Sequence, residues 1–165
     1  MGLITMGGNP THTSGELPKV GSKAPSFQLV NSNLETTTLN DFAGSKLVLN
    51  IFPSVETAVC ANSVRKFNAD AAKLTNTVVL CISRDLPLAQ KRFCGSEGLS
   101  NVYTLSDFKT GKFGKDYGLE ILDGAFDGLL SRVVIVLDEN GIIKYTEQVP
   151  EIGIEPNYES AIAAL

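Results

Sequence analysis

The chain has 165 residues, of which 43% are hydrophobic and 19% charged, with a formal net charge of -4. This length suits one domain, 1–165, that buries about 70% of the surface its unfolded form exposes, so folding needs no disulfide or metal staple. The mild acidity and the lack of a Lys/Arg block argue against a nucleic-acid surface, which requires a basic face to displace phosphate counterions; no run of about 18 apolar residues is present to span a membrane.

In chain order, residues 3–6 followed by Gly7-Gly8-Asn9-Pro10 predict an N-terminal hairpin. Residues 26–30 and 36–39 read as short strands around the turn-rich Asn31-Ser32-Asn33. Residues 46–52 form a near-continuous apolar run that ends at Pro53, as expected of a strand covered on both faces. Val64, Phe67, Ala71 and Leu74 then recur at spacings of three and four, which predicts a helix over about 60–73 with Cys60 in its first turn. Residues 77–83 are a second buried strand, completing a right-handed strand-helix-strand unit with parallel strands.

Residues 88–94 are helix-like and stop at Gly95, 101–105 read as a third central strand, and 113–117 as a short helix closed by Gly118. Residues 132–137 and 142–149 flank Asp138-Glu139-Asn140-Gly141, a hairpin signal. A helix over 158–165 closes the chain. The expected architecture is a thioredoxin-like three-layer α/β sandwich with an N-terminal β-hairpin.

Three cysteines, Cys60, Cys81 and Cys94, form an odd set without a CxxC pair, which suits a reduced compartment better than a secreted disulfide framework. Residues 1–15 are Gly/Thr-rich and lack an export pattern, so a cytoplasmic location is expected. His12 is the single histidine and reads as an exposed loop residue, leaving no material for a Cys/His zinc site. No metal or cofactor is expected.

Pro53 to Cys60 bridges the first central strand and its helix, the position at which open α/β sheets place ligand sites. There the unpaired N–H groups and the positive end of the helix dipole favour a thiolate over a thiol. Thr57, three residues before Cys60, is near enough for its hydroxyl to bond the sulfur or a bound oxygen, and Pro53 stiffens and covers the loop. Full ionisation raises the thiolate fraction of an ordinary cysteine at pH 7 only about thirtyfold. Catalysis at such a cysteine therefore needs groups that act on the transition state.

The pattern PxxxTxxC formed by Pro53, Thr57 and Cys60 resembles the signature of the peroxiredoxins. Residues 83–94, Ser-Arg-Asp-Leu-Pro through Arg-Phe-Cys, resemble the resolving-cysteine region of the atypical 2-Cys bacterial thiol peroxidase subfamily, as do Asn50 to Ser54, Ser63 to Asn68 and Val78 to Ser83. Glu56 and Ala58 depart from the usual Asp and the common Pro or Gly. The resemblance implies a peroxidase acting on hydrogen peroxide and organic hydroperoxides. In it Cys60 attacks the peroxide, Cys94 resolves the sulfenic acid to an intramolecular disulfide, Arg132 faces the sulfur, a thioredoxin-type dithiol is the reductant, and the chain forms a homodimer.

A disulfide needs Cα atoms within about 7 Å. Because Cys60 and Cys94 fall on different helices, both segments are expected to unwind on oxidation. Cys81, in mid-strand, reads as an inert buried hydrophobe. Two other readings share this fold: a dithiol-disulfide exchanger, which Cys60-Ala61-Asn62-Ser63 disfavours for want of a second thiol, and a non-catalytic redox-sensing or interaction module.

Overall fold

The computed structural model describes residues 2–165. A hairpin of β1 (Gly2–Met6) and β2 (Asn9–Thr13) precedes a seven-stranded mixed sheet. Its strands are β3 (Gln28–Asn31), β4 (Thr36–Thr38), β5 (Lys46–Ile51), β6 (Thr77–Ser83), β7 (Tyr103–Ser106), β8 (Val133–Leu137) and β9 (Ile143–Gln148), in the order β4-β3-β7-β6-β5-β8-β9. Strands β5, β6 and β7 run parallel, and the other neighbours are antiparallel.

The apolar runs of β5, β6 and β8 divide with period two between two cores. Leu47, Leu49, Ile51, Leu80, Ile82, Val133, Ile135 and Leu137 face one side, where they meet Phe27 and the Phe113 and Tyr117 of α3 (Lys112–Asp116) and its cap. Val48, Phe52, Val79, Cys81, Val134 and Val136 face the other, against Val64 and Phe67 of α1 (Ala58–Ala71) and Ala161 of α4 (Tyr158–Ala163). Phe93 of α2 (Pro87–Glu97) packs on this second side. The layering is the three-layer thioredoxin-like sandwich expected, with the hairpin at its edge.

Local differences have local causes. Helix α2 passes through Gly95 and ends at Gly98, whose φ of 68° is the left-handed conformation that a C-terminal glycine supplies; its N–H bonds the carbonyl of Cys94. Residues 39–42 form a 3-10 turn that the sequence reading did not contain, started by the Thr38 N–H donating to the Asp41 carboxylate at 2.8 Å. His12 lies on β2 rather than in a loop, with Nδ1 2.7 Å from Asp123 Oδ2. Arg132 immediately precedes β8 instead of opening it.

The hairpin is tied to the far end of the chain. Thr5 donates its N–H to the Pro150 carbonyl and accepts from the Ile152 N–H, while Ile4, Ile121 and Ile152 share a small core. No helix among the described residues is long and apolar enough to cross a membrane.

Candidate active site

The loop from Pro53 to Thr57 leaves the carboxyl end of β5, and Thr57 caps α1. Its Oγ1 accepts the Cys60 N–H at 3.3 Å, satisfying one of the free donors of the first turn. The same hydroxyl donates to the Ser54 carbonyl at 3.3 Å. Thr57 therefore bonds the backbone of Cys60 and not its sulfur, a more indirect link than the spacing suggested. No acidic residue occupies the first turn of α1.

Cys60 has no exposed surface and sits with Phe52, Val55, Val64, Phe67 and the half-buried Tyr158. Arg132, 3% exposed, approaches the same sulfur from the start of β8. Its Nη2 lies 3.2 Å from Cys60 Sγ, its Nε donates to the Ile152 carbonyl at 2.9 Å, and its buried Nη1 has no protein partner. The hairpin thus reaches the site through Ile152, which links Thr5 to the guanidinium.

All three cysteines are free thiols. Cys81 is fully buried on the α1 side of β6; burial pushes its thiol up to about 12, opposed by a bond from Asn50. It is a protonated core residue at neutral pH. Cys94, half-buried on α2, is also pushed up by burial. Between α2 and α1, Arg65 makes a two-pronged ion pair with Glu97 and lies over the Phe93 ring.

One acidic residue had not been singled out. Asp85, just after β6, accepts hydrogen bonds from the Ser54 hydroxyl at 2.6 Å and the Val55 N–H at 2.9 Å. The legible signal was topological: adjacent parallel strands place the loops at their carboxyl ends side by side. Among the described residues, no group of three or more His, Cys, Asp or Glu side chains is placed to hold a metal.

A cysteine in the first turn of a helix on a thioredoxin-like sheet, with a buried arginine against its sulfur, defines a thiol-dependent redox enzyme. The Redoxin family model matches residues 19–162, and the chain belongs to that family. It is similar to the thiol peroxidase of Corynebacterium glutamicum, 56% identical over 158 residues that cover 96% of this chain and 95% of that protein. It is also similar to the thiol peroxidase of Mycobacterium bovis, 53% identical over 100% of this chain and 99% of that one.

Among solved structures, a peroxiredoxin-like protein from Aquifex aeolicus superposes with a TM-score of 0.92 at 37% identity, covering 98% of this chain and 94% of that chain. The chain is thus a thiol-dependent peroxidase of the bacterial thiol peroxidase type within the peroxiredoxins. Its substrate is a peroxide and its electrons come from a thiol reductant.

Proposed function

We propose that Cys60 is the peroxidatic nucleophile, Cys94 the resolving cysteine, and Arg132, Thr57 and Pro53 the groups that shape the site. The observation that carries this reading is the 3.2 Å approach of Arg132 Nη2 to Cys60 Sγ, with Nη1 left unpartnered beside it. The Cys60 thiolate attacks the terminal oxygen of ROOH, the O–O bond breaks, and the alkoxide takes a proton to leave as alcohol, or as water from hydrogen peroxide. Cys60 is then a sulfenic acid.

Charge moves from sulfur to the leaving oxygen during this step, and a fixed guanidinium with a free N–H stabilises it where it develops. Thr57 acts through the backbone by holding the first turn of α1. Pro53 stiffens the loop over the sulfur.

Cys94 next attacks the Cys60 sulfur and expels water, which requires the first turn of α1 and the segment around Cys94 to unwind. A thioredoxin-type dithiol reduces the disulfide to two thiols and is itself oxidised. Hydrogen peroxide and organic hydroperoxides are the substrates, residues 1–165 act as one domain, and the working form is a cytoplasmic homodimer.

Stopped-flow mixing with peroxide, followed by reduction with thioredoxin, tests these roles. Cys94→Ser should consume one peroxide per chain and accumulate a sulfenic acid on Cys60 without recycling, while Cys60→Ser should do neither. Full turnover by Cys60→Ser would overturn the assignment.

A further inference from the structure

A single carboxylate joins the loops that lead into the two cysteine-bearing helices. Asp85 Oδ1 accepts from the Ser54 hydroxyl, and Oδ2 accepts from the Val55 N–H and from the Ser83 hydroxyl at 2.6 Å. From Ser54 the bonds continue to Cys60. The Ser54 hydroxyl accepts the Glu56 N–H at 3.1 Å, its carbonyl accepts the Thr57 hydroxyl, and Thr57 accepts the Cys60 N–H. In the other direction, Ser83 Oγ accepts from Gln90 Nε2 at 3.0 Å. Gln90 stands four residues before Cys94 on α2, one turn away on the same face.

The rest of α2 is held differently. Its two buried residues, Pro87 and Gln90, lie in its N-terminal half, so the half that carries Cys94 rests on partly exposed contacts. Glu56 and Arg92 also connect the loop to α2, but they are 3.8 Å apart with side chains 71% and 80% exposed, where solvent screens an ion pair to little value. The Arg65–Glu97 pair is likewise in solvent, with side chains 42% and 35% exposed. Hydrogen bonds to a half-buried carboxylate are the stronger kind. Asp85 is therefore the firm end of both helices, and the Cys94 end is the loose one.

We propose that Asp85 is a positioning residue that separates the two chemical steps. Its bonds to Ser54 and Val55 hold the first turn of α1 where the Cys60 sulfur meets Arg132, and they form the fixed base from which residues 56–61 unwind toward Cys94. This rests on the assignment of Cys60 and Cys94 made above. Peroxide attack needs the turn closed, and disulfide formation needs it open. Loosening the base shifts the population toward the open form, which slows the first step without slowing the second.

The test measures both steps on the full chain by stopped flow, for wild type, Asp85→Ala, Ser54→Ala and Asp85→Asn. Sulfenic acid formation is read in a Cys94→Ser background, and disulfide formation with Cys94 present. In Asp85→Ala and Ser54→Ala the peroxide step should fall by about tenfold or more, the scale on which small misplacements of reacting groups act, while the disulfide step is unchanged or faster. Asp85→Asn keeps a carbonyl acceptor for the Val55 N–H and should recover most of the peroxide rate.

Loss of stability alone would not move the two rates apart. Equal slowing of both steps, no change in either, or a faster peroxide step overturns the proposal. Should Asp85→Ala fail to fold, Ser54→Ala, which removes one side-chain bond to the carboxylate, decides the outcome. A wild-type protein that forms no Cys60 sulfenic acid or no Cys60–Cys94 disulfide would instead remove the assignment beneath it.

Discussion

Arg132 Nη2 and the Cys60 sulfur lie 3.2 Å apart although 72 positions separate them in the chain. The contact exists because β8 pairs antiparallel with β5, with Ile51 opposite Val133. The end of β5 that leads to Cys60 is thereby brought beside the start of β8, where Arg132 stands.

Arg132→Ala should slow the peroxide step about a hundredfold or more, the cost of removing a donor aimed at developing charge. Raising the pH should not restore the rate, because the lost contribution is to the transition state and not to ionisation of Cys60. Arg132→Lys should recover little: lysine has no donor in place of Nε, which bonds the Ile152 carbonyl while a separate nitrogen meets the sulfur. Stopped-flow rates across a pH series check both expectations, and full recovery at high pH would show the arginine acting through the thiolate alone.

Thr57→Val should cost about 1 kcal/mol through loss of the helix cap and should also slow peroxide attack. Thr57→Ser keeps the hydroxyl that accepts the Cys60 N–H and should change neither much. Thermal denaturation beside single-turnover rates separates the two effects.

Cys81 makes stability fall at alkaline pH. An ordinary thiol ionises near pH 8.5, whereas burial pushes Cys81 up to about 12. The folded state therefore holds this proton more tightly than the unfolded state does. That contribution is complete below about pH 8.5 and is lost as pH rises through about 12. Cys94 acts in the same sense but is only half-buried. Urea unfolding at neutral pH and at about pH 10.5 should show a smaller loss for Cys81→Ala than for wild type; parallel losses would contradict the account.

Two glycines with nearly equal φ should respond unequally to alanine. Gly98, at φ 68°, has open space where a Cβ would go, so Gly98→Ala should cost about 1 kcal/mol from backbone strain. At Gly118, φ 70°, a Cβ would lie 2.5 Å from the Glu16 carbonyl oxygen and under 3 Å from two further backbone atoms. Gly118→Ala should therefore cost more than about 2 kcal/mol, since the backbone must move as well as strain. Chemical denaturation of both variants measures the gap.

What was legible in the sequence was what neighbouring residues decide among themselves. The apolar runs over 46–52 and 77–83 set the central strands, and spacings of three and four from Val64 to Leu74 set α1. Thr57 three residues before Cys60 set the nearness of its hydroxyl to Cys60, although the bond it makes is to the Cys60 N–H as a helix cap and not to the sulfur. Resemblance to a known signature then supplied the chemistry that composition and periodicity lacked.

Tertiary structure alone decided the rest. That Arg132 reaches Cys60 follows from strand pairing, and that Ile152 holds Arg132 follows from a hairpin at the opposite end of the chain. The bonds of Asp85 to Ser54 and Val55 span about thirty positions and depend on two loops meeting at adjacent strand ends. The expected stop of α2 at Gly95 was wrong: the helix runs on to Glu97 and ends at Gly98, where the chain turns left-handed. Spacing along one chain carries no information on distances that arise only when separate strands pair in one register.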